Sequence, residues 1–187
     1  MIAGLFQAGD ELRRVQRLAY RMRQLQEVDA GFGAASRAAW ETAARWQPLR
    51  EVIERMLVVR DWGEAFAALA LALKPRFDAV FATQLGELAR TAGDHTLGHV
   101  LFSLDADCRW HRAWSAALVQ MAVAARPANA TALARWLAVW DPAVERAVAA
   151  IVEPVFGGGE AAAAARAAAS AEVRAHRAAC GLPEVAP

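Results

Sequence analysis

The sequence predicts an all-α protein, a bundle of long helices built from 187 residues. Three observations predict it. Apolar residues recur at three- and four-residue steps, as in Leu97, Val100, Leu101, Leu104, Cys108, His111, Trp114, Leu118 and Met121, which is the period of one helix face. No run alternates at period two for long, as a half-buried strand would. Alanine, a strong helix former and a weak strand former, is spread through the chain. The hydrophobic fraction of 57% reflects that alanine and does not imply a membrane. The longest nearly uninterrupted apolar run, 65–73, falls far short of the ~20 residues that span a bilayer.

Taken in order, the first helix is expected over 9–28, with Leu12, Val15, Leu18, Ala19, Met22 and Leu25 as its apolar stripe. Arg13, Arg14, Arg17, Arg21 and Arg23 ring that stripe, as a solvated face or as partners for acidic neighbours. Gly31-Phe32-Gly33 breaks the helix. Ser36 is placed to cap a short helix reaching Trp46. Pro48 suits the first turn of the next, which should run to about Arg60. Asp61 and Glu64 stand at capping-box spacing. Pro75 should kink the following helix after Lys74, because proline removes an intrahelical bond. Gly93-Asp94 reads as a stop followed by a cap, and the longest helix follows over about 95–125. Asp141-Pro142 reads as an N-cap with its first helical residue, dividing 130–140 from 142–152. Gly157-Gly158-Gly159 reads as a linker that separates the bundle, 1–156, from an alanine-rich helix within 157–187, expected to pack loosely and to close at Gly181 and Pro183.

Composition narrows the function. Net charge is +1, which gives no ground for nucleic-acid binding. Cys108 and Cys180 show no paired spacing, so a reducing, cytoplasmic setting is expected. The first residues lack the basic start of a signal peptide. Seven Trp against one Tyr suit cores and interfaces. Lys74 is the single lysine among 21 basic residues. There is no Gly-x-Ser-x-Gly and no phosphate-binding loop. Cys108 sits on an apolar stripe and reads as a buried, inert thiol. Asp94, His95 and His99, and separately Asp107 and His111, stand one helical turn apart, but neither set supplies a further ligand at known spacing. His176 reads as solvated.

Helical bundles also hold dinuclear iron, using carboxylates from two helices and a Glu-x-x-His pair from each of two others. Residues three apart share a helix face, so carboxylate and imidazole reach one metal. No Glu-x-x-His occurs in this chain. Two near misses do. Glu11-Leu12-Arg13-Arg14 carries arginine at the histidine position, and Asp107-Cys108-Arg109-Trp110 carries tryptophan. No catalytic, cofactor-binding or metal-ligating residue is therefore assigned.

Three blocks carry a family resemblance. They are 12–26 with Gly31-Phe32-Gly33 and Trp46-Gln47-Pro48-Leu49-Arg50; Val59 to Leu69 with Leu73-Lys74-Pro75; and Leu104 to Val119. Together, over roughly 10–150, they resemble the β subunit of the hydroxylase of bacterial multicomponent diiron monooxygenases of the toluene, phenol and alkene type. The resemblance implies a ferritin-like, ribonucleotide-reductase-like bundle, partial at its N-terminus, because such β subunits carry a further region ahead of the matched segment. An apolar flank of the helix pair 61–123 would then lie uncovered.

It also implies a non-catalytic scaffold with no cofactor of its own, serving an NADH-dependent, O2-using aromatic or alkene monooxygenase. The partners implied are a diiron α subunit, a γ subunit, a second αβγ protomer, a reductase and a regulatory protein. Glu11, Arg14, Glu64, Asp107 and Trp110 become degenerate metal-site positions. Arg14 would replace the cation by pairing with Glu64 or Asp107; the other reading leaves these residues exposed or locally paired. A helical binding or regulatory protein without oxygen chemistry is the alternative function.

Overall fold

A computed structural model describes residues 2–182, and Pro183 lies outside them. The described residues form seven helices and no strand. They are α1 (Ile2–Val28), α2 (Ser36–Thr42), α3 (Gln47–Leu57), α4 (residues 62–91), α5 (His95–Ala125), α6 (Ala128–Phe156) and α7 (Gly159–Ala179).

α4 is the axis. Asp61 caps it, its carboxylate accepting the backbone N–H groups of Gly63 and Glu64. Glu64 does not complete the capping box; its carboxylate accepts the Trp140 indole N–H at 3.1 Å. The helix then passes through two π segments, Ala67–Leu73 and Ala79–Gln84, on either side of the α-helical turn Lys74–Asp78. Pro75 therefore falls in the first turn of an α-helical segment, where its missing N–H costs little. The helix continues through Pro75 without interruption, from residue 62 to 91.

The core lies between α4, α3, α6 and α7. Leu71, Val80, Trp140, Val144, Ile151 and Val152 are almost wholly removed from water. Each such large apolar side chain stabilises the fold by about 1.5–3 kcal/mol. The alanines do a different job. Ala67, Ala68 and Ala72 on α4 and Ala162, Ala165 and Ala169 on α7 join the same core and let the two helices approach closely.

Six expectations need correction. α1 already covers Ile2, ahead of the expected start at 9. α2 ends at Thr42, and a separate 3-10 turn, Ala44–Trp46, carries the chain to Trp46. α6 runs unbroken from Ala128 to Phe156 with Pro142 and Pro154 inside it, so Asp141 is no N-cap. Its carboxylate instead accepts from two guanidinium groups, Arg76 at 2.9 Å and Arg177 at 2.5 Å. α7 does not pack loosely: the three glycines form a tight turn, with Gly157 left-handed, that folds it back onto the core. Ser36 does not cap α2, whose N-cap is Ala35 without a side-chain bond. α3 stops at Leu57 rather than Arg60. Asp94 caps α5 as expected, accepting the Leu97 N–H at 2.9 Å.

Candidate functional site

The chemistry-bearing side chains gather in one seam, where α1 crosses α4 and α5. α1 is built inside out. Its one buried residue is Gln7. The expected apolar stripe does not face the core; Leu12 and Val15 are 66% and 63% exposed. The arginines turn inward instead. Arg13 Nη2 lies 2.5 Å from Asp107, Arg17 Nη1 2.5 Å from the Ser103 hydroxyl and Arg21 Nη2 2.8 Å from Asp94. Uncovered apolar surface thus runs along α1, and the helix pair 61–123 leaves Trp62, Leu69, Trp110 and Met121 exposed as well.

At the centre of the seam stands Asp78, only 2% exposed. Arg14 Nη1 donates to its Oδ1 at 3.0 Å. Lys74 Nζ lies 3.3 Å from Oδ1 and 3.1 Å from Oδ2. The same ammonium reaches Glu11 at 2.6 Å, and Arg14 Nε lies 3.4 Å from Glu11. Burial alone would raise the Asp78 carboxyl, but Lys74 and Arg14 outweigh it and hold it below its ordinary value. Burial likewise works against the charge on Arg14, and Asp78 reverses that effect.

Cys108 and His111 close the seam from α5. The Cys108 thiol accepts from Arg14 Nη2 at 2.9 Å, and burial pushes it up to about 12, so it stays a thiol. His111 Nε2 lies 3.1 Å from Asp10, while its Nδ1 is buried without a hydrogen-bond partner. Burial lowers its basicity despite Asp10.

Of the five positions singled out in the sequence, the structure brings together Glu11 and Arg14. Arg14 does not pair with Glu64 or Asp107. Glu64 sits against Trp140, and Asp107 is taken by Arg13. Trp110 is 39% exposed, edge-on to His111. The register on α5 is one residue off the expected one: Cys108 and His111, three apart, point into the seam. Sequence reasoning missed Asp78 and Cys108 as partners of Arg14, and Lys74 as the second cation on Asp78 and Glu11. A signal was present, since Lys74 and Asp78 stand at i, i+4 ion-pair spacing directly after the apolar run 65–73.

The seam does not fit a dinuclear metal. Two cationic side chains already take up the carboxylates that a metal would require, and a neutral thiol stands beside them. Among the described residues no group of three or more His, Cys, Asp or Glu is arranged to hold a metal ion. His95 and His99 are exposed on α5. His176 is not solvated. It is 3% exposed, with its Nε2 3.4 Å from the Ser115 hydroxyl, and burial lowers it to about 4. No helix among the described residues is long and apolar enough to cross a membrane.

Residues 2–126 match the family described as Methane/Phenol/Alkene Hydroxylase. The chain is 36% identical over 145 residues to the hydroxylase component subunit beta of the toluene-4-monooxygenase system of Ectopseudomonas mendocina, covering 76% of this chain and 44% of that protein. It is 28% identical over 140 residues to the hydroxylase component small subunit of propane 2-monooxygenase from Gordonia sp. strain TY-5, covering 72% and 38%. It also superposes on a chain of toluene 4-monooxygenase, solved with toluene bound in the resting active site. The TM-score is 0.77 at 34% identity, over 82% of this chain and 51% of that one. The chain thus spans about half or less of the length of these relatives. Agreement in backbone and sequence over most of this chain is descent, not convergence on a common bundle, and the chain belongs to the methane/phenol/alkene hydroxylase family.

Proposed function

We propose that the chain is a structural β subunit of a multicomponent monooxygenase hydroxylase, scaffolding a separate iron-bearing α subunit. The observation that carries this reading is the convergence of Arg14 and Lys74 on buried Asp78. A bundle interior of this class can hold metal cations among carboxylates; here side-chain cations neutralise the carboxylate instead. Glu11, Arg14 and Asp78, with Lys74, are then the remnant of a metal site, and Glu64, Asp107 and Trp110 are outside it. Relatives named as the beta or small subunit of a hydroxylase component support the same role.

The assembled enzyme would be cytoplasmic, NADH-dependent and O2-using, hydroxylating an aromatic ring or epoxidising an alkene. Its diiron cofactor would sit in α, and a γ subunit, a second αβγ protomer, a reductase and a regulatory protein would complete it. Co-expression with the larger hydroxylase subunit of the same organism, followed by sizing and iron counting, tests this. A stable complex whose iron stays with the larger subunit is the expected result. Stoichiometric iron on the isolated chain, or hydroxylation by it without the larger subunit, would overturn the reading.

A further inference from the structure

A small cavity lies where α1, α4 and α5 meet, on the His111 side of the Asp78 seam. Gln7, Ala70, Lys74, His111, Arg112 and Ser115 enclose about 10 Å³ of free space. A single water needs roughly 10–15 Å³ of such space and two to four polar partners. Every lining residue but Ala70 can supply a polar partner, so the wall suits water and not an apolar group.

His111 is the second, independent observation. It is 3% exposed, and its Nδ1 is buried without a hydrogen-bond partner. Its Nε2 lies 3.1 Å from Asp10. Burial keeps the ring neutral, with one proton to place, and an ionised carboxylate only accepts. The proton therefore sits on Nε2, and Nδ1 is a bare acceptor. It faces Glu11 Oε1 at 3.6 Å, which is another acceptor. Two acceptors side by side in a buried place are costly unless a donor joins them. The Lys74 ammonium, 2.6 Å from Glu11 and 3.1 Å from Asp78, makes no hydrogen bond to the ring and has a third N–H to give.

We infer that the cavity is a binding site for one resident water molecule, which accepts from Lys74 Nζ, donates to His111 Nδ1 and fixes the ring tautomer that holds Asp10. Its second O–H turns to Glu11. Gln7, whose Oε1 already accepts from the Trp114 indole at 3.0 Å, has amide N–H groups free to donate to the water as well. A cation is repelled by Lys74 and Arg112 in the same wall. An anion would meet the bare Nδ1 and Glu11 where it needs a donor. The site is shut off from solvent at Nδ1 by this chain's own atoms, and the inference stands whatever the chain binds. The water joins Glu11 and Gln7 of α1 to Lys74 of α4 and His111 of α5, so the polar attachment of α1 is completed by a molecule that no residue encodes.

A high-resolution crystal structure of the chain, alone or in its native complex, tests this together with nitrogen-15 spectra of the imidazole. A density peak is expected within about 2.7–3.2 Å of both His111 Nδ1 and Lys74 Nζ. The spectra at neutral pH should show an uncharged ring protonated at Nε2. In His111→Phe, which removes the acceptor and keeps a ring in place, the peak should be lost while Lys74 stays on Glu11 and Asp78. No peak in the wild type, a peak that His111→Phe leaves in place, or one that takes up bromide on soaking would each overturn the proposal. So would a wild-type ring that proves to be imidazolium or protonated at Nδ1, a result that does not depend on the variant folding.

Discussion

α1 is fixed to α4, and α7 to α6, by buried arginine–carboxylate contacts, but the bonds carry different shares of the load. Under α7, Arg76 and Arg177 converge on Asp141 while Ala162, Ala165 and Ala169 lie in the common core. Packing holds that helix, and the ion pairs set its register. Under α1, Arg14 and Lys74 converge on Asp78, and no α1 residue joins the core cluster. There the polar contacts are the attachment. The same interaction is an adjustment in one place and a hinge pin in the other.

The sharpest way to break this contrast is to remove the pin. Asp78→Ala leaves Lys74 and Arg14 buried with a charge uncompensated, which should cost about 3–5 kcal/mol. Urea denaturation monitored by circular dichroism should show it as a lower midpoint, and a loss under 1 kcal/mol would contradict the account. On the α7 side, the corresponding probe is pH. His176 lies against Ser115 and Cys180 and near Arg112 and Arg177, and it is kept neutral by burial with its folded value at about 4. A base whose folded value is depressed stabilises the fold fully above pH 6.5, and that contribution is lost as pH falls toward 4. The loss amounts to roughly 3 kcal/mol. His176→Gln should flatten this part of the stability–pH curve, and an unchanged slope would place the titration elsewhere.

Salt should separate the two helices more gently. The α1 pairs of Arg13 and Arg21 are partly open to water and so are screened, whereas α7 is held by apolar contact. Raising salt from ~0.05 M to ~0.5 M should speed amide exchange in α1 several-fold and leave α7 unchanged. Equal response in both would erase the distinction. The smallest expected effect is Leu12→Ala, within about 0.5 kcal/mol of wild type, because the side chain leaves little apolar contact behind. A larger loss would mean that the outer face of α1 already supports the isolated fold.

Helix content, the turns at Gly31-Phe32-Gly33 and Gly93-Asp94, and the family were legible in the sequence because each rests on local spacing. What was not legible depended on what lies across from a residue. The α1 stripe has the period of a buried face, yet the stronger demand came from buried Asp78, which drew Arg14 inward and turned the stripe out. Asp141-Pro142 carries the chemistry of a helix start, but Arg76 and Arg177 made the carboxylate worth more inside α6. Alanine-rich α7 has little bulk to bury, and its smallness is what lets it lie close to α4. At the seam, Glu11 and Arg14 were found through their spacing. Asp78 was not, since it belongs to no motif, and Cys108 was legible as a buried thiol but not as a neighbour of Arg14.

The two π segments of α4 have a consequence for how this chain can vary. Each closes its hydrogen-bonded loops over one residue more than an α turn. Excising a single alanine from 67–73 would let ordinary winding return, and because the wide turn is what absorbs that extra residue, the downstream face would keep roughly its present bearing. The α-helical turn Lys74–Asp78 has no such slack: losing a residue there would swing Asp78 about 100° away from Arg14. The wide turns are thus the places where α4 can shed a residue and still present Lys74 and Asp78 to α1, and Arg76 to Asp141.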